Sequence, residues 1–342
     1  MTITVLIASP VEAELVERIQ KAMPTQVRVI YEPDLLPIPR YPADHGGRRR
    51  DLAPQAIDRW RGLLGMADVL FDFDWLDPAS MPTSAPRLRW VQATSSGIGE
   101  FVDRLGLRGS GITFTTAGGV HAGPLAEFVA LGLLYFTKQV SDLQRWQADR
   151  RWQRYATREV RGQRVVLIGG GHVGREIARM LGQLRVEVIL LTKTPRPELF
   201  EGVAREITRI ELVETLPDCD AVVLACPYTP ETHHQIAARE LAALPSRAVL
   251  INVSRGAVVD EPALIDALAS GRLAGAWLDV FGREPLPPDS LLWGMPNVLV
   301  SPHSASTVGA ENERIVELFI DNLYRYLDGQ PLLNLYQPER GY

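Results

Sequence analysis

The stretch Arg164–Gly182, RVVLIGGGHVGREIARMLG, decides how the rest of the chain is read. It opens on a short apolar run, Val165 to Ile168, of the kind that forms a buried parallel strand. A glycine cluster follows, Gly169-Gly170-Gly171-His172-Val173-Gly174. Val173, Ile177, Met180 and Leu181 then recur at helical spacing, so a helix starts inside the cluster. A strand, a glycine turn and a helix in that order turn a bare G-x-G-x-x-G into a dinucleotide site. Gly169 permits the tight turn, Gly171 lets backbone approach a pyrophosphate, and Gly174 lets helix and strand pack closely. The first helical N–H groups, from His172 and Val173 onward, offer partial positive charge to the phosphates.

At 342 residues the chain is long enough for two domains of ordinary size. With 46% hydrophobic and 23% charged residues it has a globular composition. A net charge of −5 argues against a nucleic-acid surface. Cys219 and Cys226 make no disulfide framework, which fits a reducing compartment. Met1–Pro10 has no basic leader and reads as a first strand, and no stretch has the length and apolarity of a membrane span. A cytoplasmic location is the expectation, with neither membrane nor nucleic acid as partner.

The first third alternates strand and helix. Strands are expected at Ile3–Ala8, Val27–Tyr31, Val69–Phe73, Leu88–Gln92 and Ile112–Thr115, with helices at Val11–Ala22 and Gln55–Leu64. Glu32–Pro54, rich in Pro, Gly and Arg, reads as a surface excursion, and its Arg48-Arg49-Arg50 run as solvated charge before an anion grip. Pro124–Gln147 is expected as one long apolar helix, with Trp146 and Trp152 near its end. The second unit repeats the pattern, with strands near Val186–Leu191, Ala221–Ala225, Arg247–Asn252, Leu273–Asp279 and Asn297–Val300. Thr307–Gly329 is expected as a final helix with Val308, Ile315, Leu318, Phe319 and Leu323 on its apolar face. Such alternation means an α/β protein with parallel sheets covered by helices on both faces.

The chemistry collects at strand ends. An NAD site carries an acidic residue at the tip of its second strand, about 20 residues past the glycines. Here Val186–Leu191 runs into Thr192-Lys193-Thr194-Pro195-Arg196 with no acid. Lys193 and Arg196 can meet a 2′-phosphate and the hydroxyls can donate to it, so NADP(H) is expected before NAD(H). Downstream, Arg255, Asp279, Glu284 and His303 each fall just past a strand and so converge on one sheet edge. Hydride delivery to a carbonyl carbon builds negative charge on its oxygen, and an imidazole is the natural proton donor there. A carboxylate such as Glu284 stabilises the charged ring of His303. Arg255 can hold a substrate carboxylate in a forked pair and polarise the carbonyl. Asp279 reads as a cofactor orienter.

These segments, VVLIGGGHVGREIA, AVVLACPYTPETHHQI, INVSRGAVVDEPALIDAL, GAWLDVFGREPLP and LLWGMPNVLVSPHSA, resemble the D-isomer-specific 2-hydroxyacid dehydrogenases over about Gln92–His303. The resemblance implies two Rossmann-like or flavodoxin-like, doubly wound parallel-sheet domains with a hinged cleft. Residues 117–307 would be the dinucleotide-binding domain, inserted into a substrate domain of 1–116 and 308–342. It implies Arg255 as substrate-binding and polarising residue, His303 as acid/base, and Glu284 as its partner. The Ser96-Gly97-Ile98 backbone would receive the substrate carboxylate. Cys226, Pro227, Thr232, Val253, Ser254 and His303 would line the cofactor, and Asp279 would contact the nicotinamide amide. The missing acidic tip resembles the NADP-using glyoxylate and hydroxypyruvate reductases. A small 2-keto or 2-hydroxy acid as substrate and a homodimer follow from the same resemblance.

Its side-chain pocket would be built from Phe71-Asp72-Phe73-Asp74-Trp75, the Ser96 loop and Trp293. His121, just before the long helix, reads as a cap or packing residue before a ligand contact. His233-His234 lacks the spaced partners of a metal site, and Cys226 reads as a buried thiol before a nucleophile. Two other readings stand beside the reductase: a dinucleotide-sensing corepressor of similar sequence, and a short-type phosphoglycerate dehydrogenase.

Overall fold

Short runs of Val, Ile and Leu between turn signals become parallel strands in each of two units of the computed structural model, which describes residues 2–193 and 197–339. The units are Met1–His121 with Thr307–Tyr342, and Ala122–Ser306. The chain therefore leaves the first unit once and returns to it once.

The first unit holds β1 (Ile3–Ile7), β2 (Val27–Ile30), β3 (Val69–Phe71), β4 (Trp90–Gln92) and β5 (Thr113–Thr115), in the order β2-β1-β3-β4-β5. Every pairing is parallel, with Leu6 opposite Leu70 and Leu70 opposite Val91. Side chains alternate across the pleat. Leu6, Leu70 and Val91 face a core with Trp60, Leu64 and Met81, while Val5, Ile7, Phe71 and Trp90 face the helix Ala13–Ala22 and the last helix, Glu311–Leu327. The last helix begins four residues later than Thr307 and buries Ile315, Val316, Phe319 and Leu323; Leu318 is only half-buried.

The second unit holds β6 (Arg164–Ile168), β7 (Glu187–Leu191), β8 (Val203–Ile207), β9 (Ala221–Leu224), β10 (Val249–Asn252), β11 (Gly275–Leu278) and β12 (Val298–Val300). Their order, β12-β11-β10-β9-β6-β7-β8, reverses direction between β6 and β9. That switch point is where open parallel sheets bind ligands.

Three expectations need correction. The helix expected over Pro124–Gln147 is two helices, Ala122–Thr137 and Val140–Ala148, separated by Gln139 in a left-handed conformation (φ 53°). The first is pinned by Val129 and Leu133, whereas the second buries no residue, so apolar character alone did not carry one helix through. Strand β8 was not foreseen: at the sheet edge its Ala204 and Arg205 are exposed, so it lacks an apolar run. The arginine run is held by protein rather than by solvent alone. Arg48 pairs with Ile38 through backbone, Arg50 Nε donates to the Leu36 carbonyl at 2.8 Å, and Arg49 to that of Trp75 at 3.3 Å. In the same excursion Asp44 is buried beneath Arg40, whose guanidinium bonds hold its carboxyl down to about 2. Among the described residues no helix is long and apolar enough to cross a membrane.

Candidate active site

The glycine turn takes the form its sequence dictates. Gly169 adopts φ +116°, and a Cβ on it would lie 2.6 Å from the Ala225 carbonyl group. A Cβ on Gly174 would lie 1.9 Å from the Gly169 oxygen, so helix and strand touch through backbone there. Gly171 faces open space, and the helix His172–Gln183 starts immediately after it. A cradle of this shape, open where a side chain would narrow it and headed by a helix N-terminus, fits a dinucleotide pyrophosphate.

The neighbouring strand ends complete one edge. The Ala225 N–H donates to Ile168 and the Val253 N–H to Leu224, so the loops after β6, β9 and β10 lie side by side. Cys226 and Pro227 sit on the middle loop. Thr232 Oγ1 donates to the Pro227 carbonyl at 2.8 Å and accepts from the Thr229 N–H at 2.8 Å, which fixes that loop. Ser254 donates to Asn252 Oδ1 through both its N–H and its hydroxyl. Burial pushes the Cys226 thiol up to about 12, so it is a packed thiol and no nucleophile. His233 and His234 stack on one another at 3.9 Å.

At the tip of β7 the structure supplies the acids that the local sequence lacks. The Thr192 hydroxyl donates to Glu206 from β8, and Lys193 Nζ lies 3.3 Å from Glu231. The tip therefore is not free of carboxylates; they arrive from elements that run past it. Arg196, the other expected phosphate contact, lies outside the described residues.

The reactive set sits at the far end of the same edge. Arg255 leaves β10 in extended backbone, its carbonyl accepting from Asn252 Nδ2 at 3.1 Å and its Nη1 donating to the Ser254 carbonyl at 2.7 Å. Gly256 lets this loop touch the next one, since a Cβ there would lie 1.9 Å from the Phe281 carbonyl carbon. The Phe281 N–H in turn donates to Glu284 Oε1 at 3.0 Å, and Glu284 Oε2 lies 2.7 Å from His303 Nδ1. Burial opposes ionisation of Glu284. The bonds from His303 and Phe281 and the charges of His303 and Arg255 outweigh it and hold the carboxyl below its ordinary value. Imidazole, carboxylate and guanidinium are thus one electrostatic group.

Asp279 is buried at the end of β11. Its Oδ1 accepts from the Ser301 hydroxyl at 2.6 Å, the Ser304 N–H at 2.9 Å and the Ala305 N–H at 3.0 Å. Its own carbonyl accepts from the His303 N–H at 3.0 Å. Burial raises its carboxyl despite those bonds. His303 is consequently held at φ 53°, a region that side chains rarely adopt. Asp279 thus has a task that its sequence position did not disclose: it clamps the loop that presents His303.

In the first unit, Ser96, Gly97 and Ile98 form the loop after β4. The Ser96 hydroxyl bonds the Ala117 carbonyl at 3.0 Å and lies 2.9 Å from His121 Nδ1, while Ile98 is buried. One of the expected aromatic pocket walls, Phe71, is corrected. Phe71 is fully buried against Phe319 and belongs to the core, whereas Phe73, stacked on Phe114 and edge-on to Phe101, and Trp75, tilted against Trp60, are half-buried at its margin. Asp74 accepts from Trp60 Nε1 at 2.9 Å and from the Leu76 and Asp77 N–H groups, so it caps its own turn. Asp72 stands apart at φ 70°, bonded to the Thr94 hydroxyl at 3.0 Å, its carboxyl raised by burial. In the second unit Trp293 is half exposed and donates to the Pro287 carbonyl.

The sequence reading missed His45, Glu311 and Ser9. His45 Nδ1 lies 2.7 Å from Ser9 Oγ, and Glu311 Oε1 lies 3.2 Å from His121 Nε2 and 3.9 Å from His45 Nε2. A lone histidine in a Gly/Arg-rich excursion and a glutamate at a helix start give no local signal.

Residues 130–305 match the model of the D-isomer specific 2-hydroxyacid dehydrogenase NAD binding domain. The chain is 33% identical over 256 residues to a glyoxylate reductase of Thermococcus gammatolerans, covering 72% of this chain and 75% of that protein. A solved D-isomer specific 2-hydroxyacid dehydrogenase from Xanthobacter autotrophicus, in complex with NADPH and MES, superposes with a TM-score of 0.79 at 30% identity over 100% of both chains. An NADPH-dependent glyoxylate/hydroxypyruvate reductase from Sinorhizobium meliloti, in complex with NADP and sulfate, gives 0.78 at 25% identity, again over 100% of both.

Proposed function

The chain belongs to the D-isomer specific 2-hydroxyacid dehydrogenase family, and from that premise we propose that it reduces a small 2-keto acid, of the glyoxylate or hydroxypyruvate kind, to the D-2-hydroxy acid. The observation that carries the reading is the contact of His303 Nδ1 with Glu284 at 2.7 Å, within the field of Arg255.

The reduced nicotinamide, when bound, supplies the hydride. The chain supplies the rest. Arg255 pairs with the substrate carboxylate and draws electron density toward the keto oxygen. Glu284 holds the His303 ring through Nδ1, which leaves Nε2 to carry the proton that the keto oxygen takes up. The carbonyl π pair becomes the new O–H bond, and the ring regains a proton from water. Asp279 keeps the His303 loop in place and orients the nicotinamide amide. In the first unit the Ser96–Ile98 backbone is the proposed carboxylate-binding loop. His172, Val173, Val253, Ser254, Cys226, Pro227 and Thr232 line the dinucleotide.

NADPH is the preferred cofactor in this reading. The β7 tip carries no acid of its own, the Glu206 carboxylate that reaches it is engaged by the Thr192 hydroxyl, and the exposed Lys193–Glu231 pair is weak enough to exchange for a phosphate. The NADP complexes of the Xanthobacter and Sinorhizobium proteins support the same choice. A second copy of the chain is the partner that the family resemblance implies. The deciding experiment is turnover of glyoxylate, hydroxypyruvate, pyruvate and phenylpyruvate with NADPH and with NADH. Reduction of one or more, faster with NADPH, supports the reading. A chain that binds dinucleotide and reduces none of them is a binding protein instead, and a clear NADH preference removes the role given to Lys193.

A further inference from the structure

The first unit carries a largely buried chain of polar side chains, none of which the reaction above uses. It runs Ser9–His45–Glu311–His121–Ser96, with two imidazoles converging on a single oxygen, Glu311 Oε1, at 3.9 and 3.2 Å. Glu311, His121 and Ser9 are each more than nine-tenths buried. Glu311 Oε2 and His45 Nε2 are buried without a hydrogen-bond partner, among the described residues. Burying this many polar groups together is costly, so an arrangement that keeps them implies a task.

The position of the chain in the sequence indicates the task. His121 is the last residue before the polypeptide leaves the first unit, and Glu311 lies four residues after it returns at Thr307. The two ring nitrogens of His121 are used in opposite directions. Nε2 meets the carboxylate on the returning helix, and Nδ1 meets the hydroxyl of Ser96. Ser96 also bonds the Ala117 carbonyl, so its side chain is held on both sides and its backbone is fixed with it. Ser9, Asp72 and Ser96 follow β1, β3 and β4, the carboxyl ends where parallel sheets place ligand loops.

We propose that His121, through the Nδ1 contact with Ser96, is a positioning residue that sets the Ser96–Ile98 loop for a substrate carboxylate. The inference rests on the functional reading given above. His121 touches no reacting atom in this account; it acts through Ser96. Removing it therefore raises KM for the keto acid, leaves kcat nearly intact, and leaves KM for NADPH unchanged.

The two nitrogens can be tested separately. The amide nitrogen of asparagine takes the place of Nδ1, and that of glutamine the place of Nε2. In the full-length enzyme with glyoxylate and NADPH, His121→Gln and Ser96→Ala should each raise KM for glyoxylate about 10-fold, the size of one lost hydrogen bond. kcat should stay within about threefold. His121→Asn should restore most of the affinity, and Ser96→Ala/His121→Gln should be no worse than Ser96→Ala alone, because both changes remove one contact. Wild-type KM in His121→Gln, equal loss in His121→Asn and His121→Gln, or additive losses in the double variant would each overturn the inference. If His121→Gln fails to fold, Ser96→Ala still decides, since an unchanged KM there contradicts the role given to its hydroxyl. A wild-type chain that reduces no 2-keto acid would instead overturn the functional reading itself.

Discussion

Among the described residues an imidazole and a carboxylate lie within hydrogen-bond distance once in each unit, and the two contacts are built for opposite ends. His303 and Glu284 are 19 residues apart, with side chains 44% and 35% exposed. His121 and Glu311 are 190 residues apart, with side chains 10% and 8% exposed. The first pair is solvated enough to exchange a proton with a ligand and then with water. The second can exchange with neither and can only hold structure. Contact between the same two chemical groups therefore does not identify an acid/base; access does. The backbone differs too. His303 is forced to φ 53° by the Asp279 clamp and projects from a loop, whereas Glu311 starts a helix inside the core.

The contrast can be broken in several ways, beginning with the largest effect. Arg255→Ala should lower kcat/KM for the keto acid by about 10³-fold, because a charged donor aimed at the developing oxyanion is lost. Steady-state kinetics with NADPH saturating would measure it, and a loss below about tenfold would detach Arg255 from the pair. Glu311→Ala should lower unfolding free energy in urea by about 2–3 kcal/mol, since buried imidazole nitrogens lose their acceptor. Glu284→Gln should scarcely alter urea stability and should lower kcat by about 10–100-fold, the scale of one charge-assisted hydrogen bond. A matching stability loss in both variants would erase the distinction drawn here.

pH sharpens the same comparison. The Glu284 carboxyl lies below its ordinary value, so its contribution is present above the ordinary range and is lost only as pH falls through the depressed value. The acid limb of kcat assigned to this group should therefore lie below the ordinary glutamate range; a limb above that range would contradict the pairing. The smallest effect concerns the cysteines. Burial raises Cys219 to about 11 and Cys226 to about 12, so in the native protein at pH 8 both should react with a thiol reagent at least about 100-fold more slowly than after unfolding.

The second unit was legible because its chemistry is written at successive strand ends in short, self-contained segments. Gly169–Gly174, Arg255, Glu284 and His303 each sit within a few residues of an apolar run, and parallel strands bring such ends to one edge. What stayed hidden there was edge structure and long-range supply. Strand β8 has no apolar run, and Glu206 and Glu231 reach the β7 tip from outside the motif. In the first unit the sheet was readable from strand periodicity, but Phe71 and Asp74 of the segment 71–75 were misread as pocket walls. Alternation shows that residues face opposite sides of a strand and does not show which sides are already filled. Phe73, two residues past β3, packs onto the Phe101 and Phe114 rings, contacts no local pattern predicts. His45, His121 and Glu311 are joined only by the tertiary fold, and the break at Gln139 depends on one residue adopting φ 53°.

The account stands most directly on His303. Its replacement in His303→Ala should be examined by measuring kcat for glyoxylate and the Kd of NADPH on the same preparation. The account predicts that kcat falls by about 10²–10⁴-fold, the usual share of a general acid, while Kd moves by no more than about threefold. Unchanged kcat, or a loss traced wholly to weaker NADPH binding, would contradict it.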